Sequence, residues 1–97
     1  MLNLKRKPTH PGEILNEEFL KPMGISQTQL AESLGTTFRT INELVNEKRN
    51  LSPELAIKLA KYLGTSPELW FNLKNQYDIY TISKSIGKEL NQIKPYS

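Results

Sequence analysis

Residues 27–44 read QTQLAESLGTTFRTINEL, two short stretches with apolar residues at helical spacing on either side of a glycine. This segment limits the fold more than any other part of the chain. Leu30, Ala31 and Leu34 share one side of the first stretch; Ile41, Leu44 and Val45 share one side of the second. Ser26 stands at the N-cap of the first, and Gln29 three residues on completes a Ser-x-x-Gln capping box. Thr36 or Thr37 caps the second. Counted from Gln27, Ala31 is fifth, Gly35 ninth and Ile41 fifteenth. Ala31 is small where a following helix crosses close above it. Gly35 supplies the left-handed conformation a sharp turn needs. Ile41 and Leu44 pin the second helix so that its opposite face points outward. A plain αα-hairpin also uses small and apolar residues, but this combination with two caps and a three-residue turn is the helix-turn-helix pattern.

The rest of the chain is punctuated in the same way. Pro11 suits the first helical position, and the helical spacing of Ile14, Leu15, Glu18 and Phe19 is expected to end at Lys21-Pro22. Ser52-Pro53-Glu54 and Ser66-Pro67-Glu68 each supply a cap, a first-turn proline and a first-turn acid. The first opens a helix with the stripe Leu55, Ala56, Leu59, Ala60 and Leu63. The second opens one carrying Leu69, Trp70, Leu73 and Tyr77. Beyond Asp78, Ile82, Ile86, Leu90 and Ile93 continue at helical spacing, with Gly87 inside the stripe at a cost of about 1 kcal/mol against alanine. The reading is an all-α bundle of five helices that contains a helix-turn-helix. Residues 1–9 form a basic arm, 10–80 the helix-turn-helix domain, and 81–97 a helical or partly mobile tail.

At 97 residues, 37% of them apolar and 24% charged, the chain fits one globular domain with a modest core. No apolar run spans a membrane, and the basic N-terminus has no apolar signal core after it, so a cytoplasmic location is expected. There is no cysteine and a single histidine, His10. Thiolate metal sites, a cysteine nucleophile and a histidine triad are thereby excluded, and no cofactor is implied. Glu17 and Glu18 are adjacent and face apart, so they make no catalytic pair. His10 reads as a helix-entry residue, and the chain is not expected to be an enzyme. The net charge of +3 favours a polyanionic partner only weakly. Across residues 21–51, four cations face three acids, so DNA binding must be argued from geometry.

The outward face of the third helix carries the chemistry for reading DNA. Arg39 can make a bidentate contact to guanine, Asn42 suits adenine, and Phe38 can pack on a thymine methyl. Glu43 can accept from cytosine N4, or hold Arg39 at i, i+4. Gln27, Thr37 and Thr40 are placed for phosphates. Asn46, Lys48 and Arg49 in the NEKRN segment either clamp phosphates or are solvated; beside a recognition helix, phosphate contact is favoured. One recognition helix reads few base pairs, so a two-fold dimer reading two half-sites is expected. Trp70, Phe71 and Tyr77 are the candidate seam residues. For Trp70 a core position is the favoured reading, and Phe71, which points elsewhere, suits the seam better.

The stretches HPGEIL, GISQTQLAESLG, INELVNEKR and LSPELAIKLAKYLGTSPELWFNLKNQYD together resemble HigA antitoxins, the VapI-like members of the Xre/Cro-type helix-turn-helix class. The resemblance spans about residues 10–80 and is most specific from residue 52 to 78. It implies a homodimeric repressor of its own operon that neutralises a HigB-like toxin, a RelE-like ribonuclease that cleaves mRNA on the ribosome. It places Gln27, Phe38, Arg39, Thr40, Asn42 and Glu43 at double-stranded DNA, with Asn46, Lys48 and Arg49 on phosphates. Two positions depart from the family pattern: Phe38 stands where small residues or proline are common, and Glu47 where glycine is usual. Without the family stretches, a stand-alone Xre-type repressor or an interaction module without DNA binding would use the same helices.

Overall fold

The computed structural model describes residues 7–96; most of the expected basic arm, residues 1–6, lies outside them. The first helix, α1, is built from an α-turn (Pro11–Ile14), a π segment (Leu15–Leu20) and a last α-turn (Lys21–Met23). It is followed by α2 (Gln27–Leu34), α3 (Phe38–Val45), α4 (Pro53–Leu63), α5 (Pro67–Ser85) and a short α6 (Gly87–Gln92). Among the described residues there is no strand. No helix there is long and apolar enough to cross a membrane.

Each helix of the body begins where a side chain can take up an orphan N–H. Ser26, Thr37, Ser52 and Ser66 are N-caps in extended conformation, and each accepts from the amide three residues on. Only the serine half of the expected capping box is present among the described hydrogen bonds: Ser26 Oγ accepts from the Gln29 amide at 3.0 Å. His10 caps α1, its Nδ1 accepting from the Gly12 amide at 2.9 Å, with Pro11 as first helical residue. The helix-entry reading of His10 is thus realised.

Pro22 does not end α1; the helix continues to Met23 and closes at Gly24. The reason is the π segment before it. The Lys21 amide bonds to the Asn16 carbonyl, five residues back. The wider turn eases the clash between a proline ring and the carbonyl four residues earlier. The C-terminal stripe differs as well. α5 runs on past Tyr80 to Ser85, and the helix breaks at Ile86 (φ −107°, ψ 23°), so Gly87 opens a new helix and is not interior to one. Ile82 then belongs to α5, Leu90 to α6, and Ile93 follows the last turn.

The core is Leu15, Leu20, Leu30, Ala31, Leu34, Ile41, Leu44, Leu51, Leu55, Ala56, Leu59, Ala60 and Trp70. Most of these belong to the stripes read from the sequence, joined into one cluster; Leu20 and Leu51 join them from outside those stripes, and Leu69 is exposed. α4 packs on both α2 and α5, and α1 lies across α3 and α5. The body therefore holds α3 by its apolar side only.

Candidate nucleic-acid interface

α2 ends at Gly35 in the left-handed conformation (φ 69°, ψ 34°), where the Thr36 amide reaches back to the Ala31 carbonyl at 2.9 Å. Thr37 then caps α3, its Oγ1 accepting from the Thr40 amide at 3.1 Å. Ala31, Ile41 and Leu44 are all buried between the two helices and the body. That seating turns Phe38, Arg39 and Glu43 away from the core. Phe38 is 52% exposed and the Arg39 side chain 84%.

Glu43 is the organising acid of this face. Its Oε2 accepts from Arg39 Nε at 3.0 Å, and its Oε1 accepts from Arg49 at 2.9 Å (Nη2) and 3.2 Å (Nε). Hydrogen bonds from Arg39 and then Arg49 hold its carboxyl below the usual glutamate range. Exposed ion pairs of this kind contribute little to stability. Their effect here is geometric: two guanidinium groups are set on either side of one carboxylate. Of the two roles open to Glu43, the structure brings together the residues for the holding role.

The other candidates are also engaged. Asn42 Nδ2 donates to Gln27 Oε1 at 3.0 Å, so the amides of α3 and of the start of α2 form one unit. The Thr37 and Thr40 hydroxyls lie 2.9 Å apart. Asn46 ends α3, and its Nδ2 donates to the Asn42 carbonyl at 2.9 Å. Glu47 follows with φ 61°, and the Lys48 amide closes the turn on the Glu43 carbonyl at 2.8 Å. Lys48 is exposed and has no ion-pair partner among the described residues. Gln27, Phe38, Arg39, Thr40, Asn42, Glu43, Lys48 and Arg49 thus lie on α3 or on the segments flanking it.

Two features were not legible in sequence. A polar hollow of about 220 Å³ lies beside α3, lined by Thr36, Thr40, Arg49, Asn50, Ser52, Glu54, Leu55 and Lys58. Arg49 reaches Glu43 across six residues, a separation that matches no helical repeat.

Trp70 is not a seam residue. It is fully buried within a single chain, its Nε1 donates to Thr65 Oγ1 at 2.8 Å, and its ring lies 5.4 Å from that of Phe19. Tyr77 is half-buried, with the His10 ring edge-on at 4.8 Å and Lys7 Nζ 5.5 Å from its centroid. Its ring is therefore largely occupied within the chain. Phe71 is half-buried and shares a helix face with the exposed Ile79 and Ile82.

Known proteins are similar to this chain along most of its length. A helix-turn-helix family model matches residues 17–70. Antitoxin HigA-1 of Vibrio cholerae is 39% identical over 98% of this chain and 90% of its own length. Virulence-associated protein I of Dichelobacter nodosus is 40% identical over 91% of this chain and 81% of its own. The solved structure of Pseudomonas aeruginosa antitoxin HigA with the higBA promoter superposes at a TM-score of 0.88 and 39% identity, covering 94% of this chain and 100% of that one. By a family model matching more than half its length and relatives aligned along nearly all of it, the chain belongs to the helix-turn-helix family, among the HigA and VapI proteins.

Proposed function

We propose that this protein is a sequence-specific DNA-binding antitoxin that represses its own operon and neutralises a HigB-like toxin in the cytoplasm. The observation that carries the reading is the outward face of α3, where Arg39 is exposed and oriented by Glu43 at 3.0 Å. A guanidinium held this way near a helix N-terminus suits bidentate recognition of guanine in the major groove. The flanking Lys48 and Arg49 suit phosphates, which give affinity and register. The similarity to an antitoxin solved with its promoter supports the DNA partner. The similarity to antitoxin HigA-1 supports the toxin.

The active form in this reading is a homodimer, so that two copies of α3 meet two half-sites one helical turn apart. Residues 10–80 carry DNA binding. Phe71, Ile79 and Ile82 on α5 supply apolar surface that a second copy can cover.

Fluorescence anisotropy on DNA from just upstream of the protein's own gene tests the reading, with scrambled DNA as control. Binding should favour the upstream sequence and weaken log-linearly with salt. Arg39→Ala should lose about 1–3 kcal/mol on that sequence and little on scrambled DNA. Equal, feeble binding to both DNAs, unchanged by adding the product of the neighbouring gene, would refute it. Operator binding with no toxin suppressed in co-expression would leave a stand-alone repressor.

A further inference from the structure

The segment that follows α3 is tethered at both ends. In front, the Lys48 amide and the Arg49 guanidinium are tied to Glu43. Behind, Asn50 Nδ2 donates to Asp78 of α5, 28 residues away, at 3.1 Å (Oδ1) and 3.3 Å (Oδ2). Asn50 Oδ1 meanwhile accepts from the Leu51 amide at 2.8 Å, and Leu51 is fully buried. Both ends of one short amide are thus committed, which fixes its rotamer and the backbone around it. Asp78 is itself held by Lys74 Nζ at 2.7 Å, with side-chain exposures of 23% and 21%, the most sheltered ion pair among the described residues.

Lys48 and Arg49 sit between these tethers and face solvent. Asp78 lies on the far side of Asn50, on a helix that contributes nothing to the recognition face. We propose that Asp78 is a positioning residue for DNA: through Asn50 it sets where Lys48 and Arg49 meet the phosphate backbone. The inference rests on the DNA-binding reading above. Its physical basis is preorganisation. A loop ordered only on binding lowers affinity by the entropy of fixing its backbone, whereas this one is fixed beforehand by a half-buried carboxylate.

A merely electrostatic view predicts the opposite sign. Asp78 is an anion, and removing an anion from a DNA-binding protein raises affinity for the polyanion. Removing a tether lowers it. The two views therefore separate cleanly in one variant.

Operator Kd should be measured across a salt series for the full-length wild type, Asp78→Ala and Asp78→Asn, together with Tm and amide exchange at Lys48 and Leu51. We expect Asp78→Ala to bind the operator about threefold to tenfold more weakly, the value of one net hydrogen bond. Its log Kd against log salt slope should fall by up to ~0.9, one phosphate contact. The Lys48 and Leu51 amides should exchange faster. Asp78→Asn keeps an acceptor for Asn50 while discarding the charge, and should recover most of the affinity and the protection. Operator affinity in Asp78→Ala equal to or above wild type overturns the proposal and leaves DNA binding standing. So does an Asp78→Asn variant as weak as the alanine, which assigns the effect to the Lys74 pair. A wild type with no preference for operator over scrambled DNA removes this inference and the reading beneath it together.

Discussion

Gly12 of α1 lies directly against the carbonyl of Leu44, the last buried residue of α3. A methyl group on Gly12 would sit inside the contact radius of the Leu44 oxygen and 2.7 Å from its carbonyl carbon. Its own amide is capped by His10. The N-terminus of α1 is therefore seated on the C-terminal end of the recognition helix, backbone to backbone. The distance between α1 and α3 is set by the absence of a side chain.

Gly12→Ala tests that seating. Helix propensity alone would make alanine stabilising by up to about 1 kcal/mol. The contact predicts the reverse, because the obstructing atoms are backbone and cannot rotate away. We expect a loss of about 1–3 kcal/mol, seen as a Tm lowered by about 5–20 °C in a thermal melt. A Tm at or above wild type would mean that the helices separate at no cost.

His10 predicts a pH dependence of stability. Its imidazole is 5% exposed and accepts a hydrogen bond at Nδ1, which only the neutral ring can do. Burial lowers its pKa below 6.5, against opposing contributions from Glu47, the Arg49 backbone and Asp78, while Lys7 lowers it further. The folded state therefore binds a proton less readily than the unfolded one. The His10 contribution is present above about pH 6.5, the unfolded value, and is lost as pH falls toward the folded pKa. Urea unfolding at pH 7.5 and 5.5 should show wild type losing stability on acidification. His10→Asn, which retains a cap without this titration, should lose less; parallel losses in the two proteins would remove His10 as the cause.

Glu43 should govern specificity more than affinity. Its carboxylate joins Arg39 and Arg49 while placing a negative charge on the face proposed to meet DNA. Glu43→Gln is expected to strengthen binding to scrambled DNA, because an anion leaves the interface. The same change should narrow the operator-to-scrambled Kd ratio by about tenfold, the lower range of one misplaced bidentate contact. Anisotropy on both DNAs measures the ratio directly, and an unchanged ratio would show that Arg39 needs no holding.

Glu47 occupies the left-handed position that closes α3, with φ 61°, its amide on the Leu44 carbonyl and that of Lys48 on the Glu43 carbonyl. A side chain there costs on the order of 1 kcal/mol. Glu47→Gly relieves this, partly offset by the greater freedom of glycine in the unfolded chain. The variant should be more stable by ~0.5 kcal/mol in urea at pH 7.5, where His10 is neutral. Destabilisation would show that the Glu47 side chain contributes more than its backbone costs.

The helix starts and most of the buried faces follow from local sequence. Caps at Ser26, Thr37, Ser52 and Ser66 act on the next few residues of the chain, and the stripes of Leu30, Ile41, Leu55 and Leu59 follow from a fixed helical repeat. These are local effects, readable within one or two turns. They were enough to mark α2 and α3 as a helix-turn-helix and to put Arg39 on its outer side. Pro22 shows where local rules fall short, since the π segment that accommodates it depends on hydrogen-bond register five residues back. Packing, by contrast, brings Asn42 to Gln27, Glu43 to Arg49 and Asp78 to Asn50. Hydrogen bonds depend on distances of a few tenths of an ångström between groups brought together by packing, and no periodicity in the chain records which partners will meet.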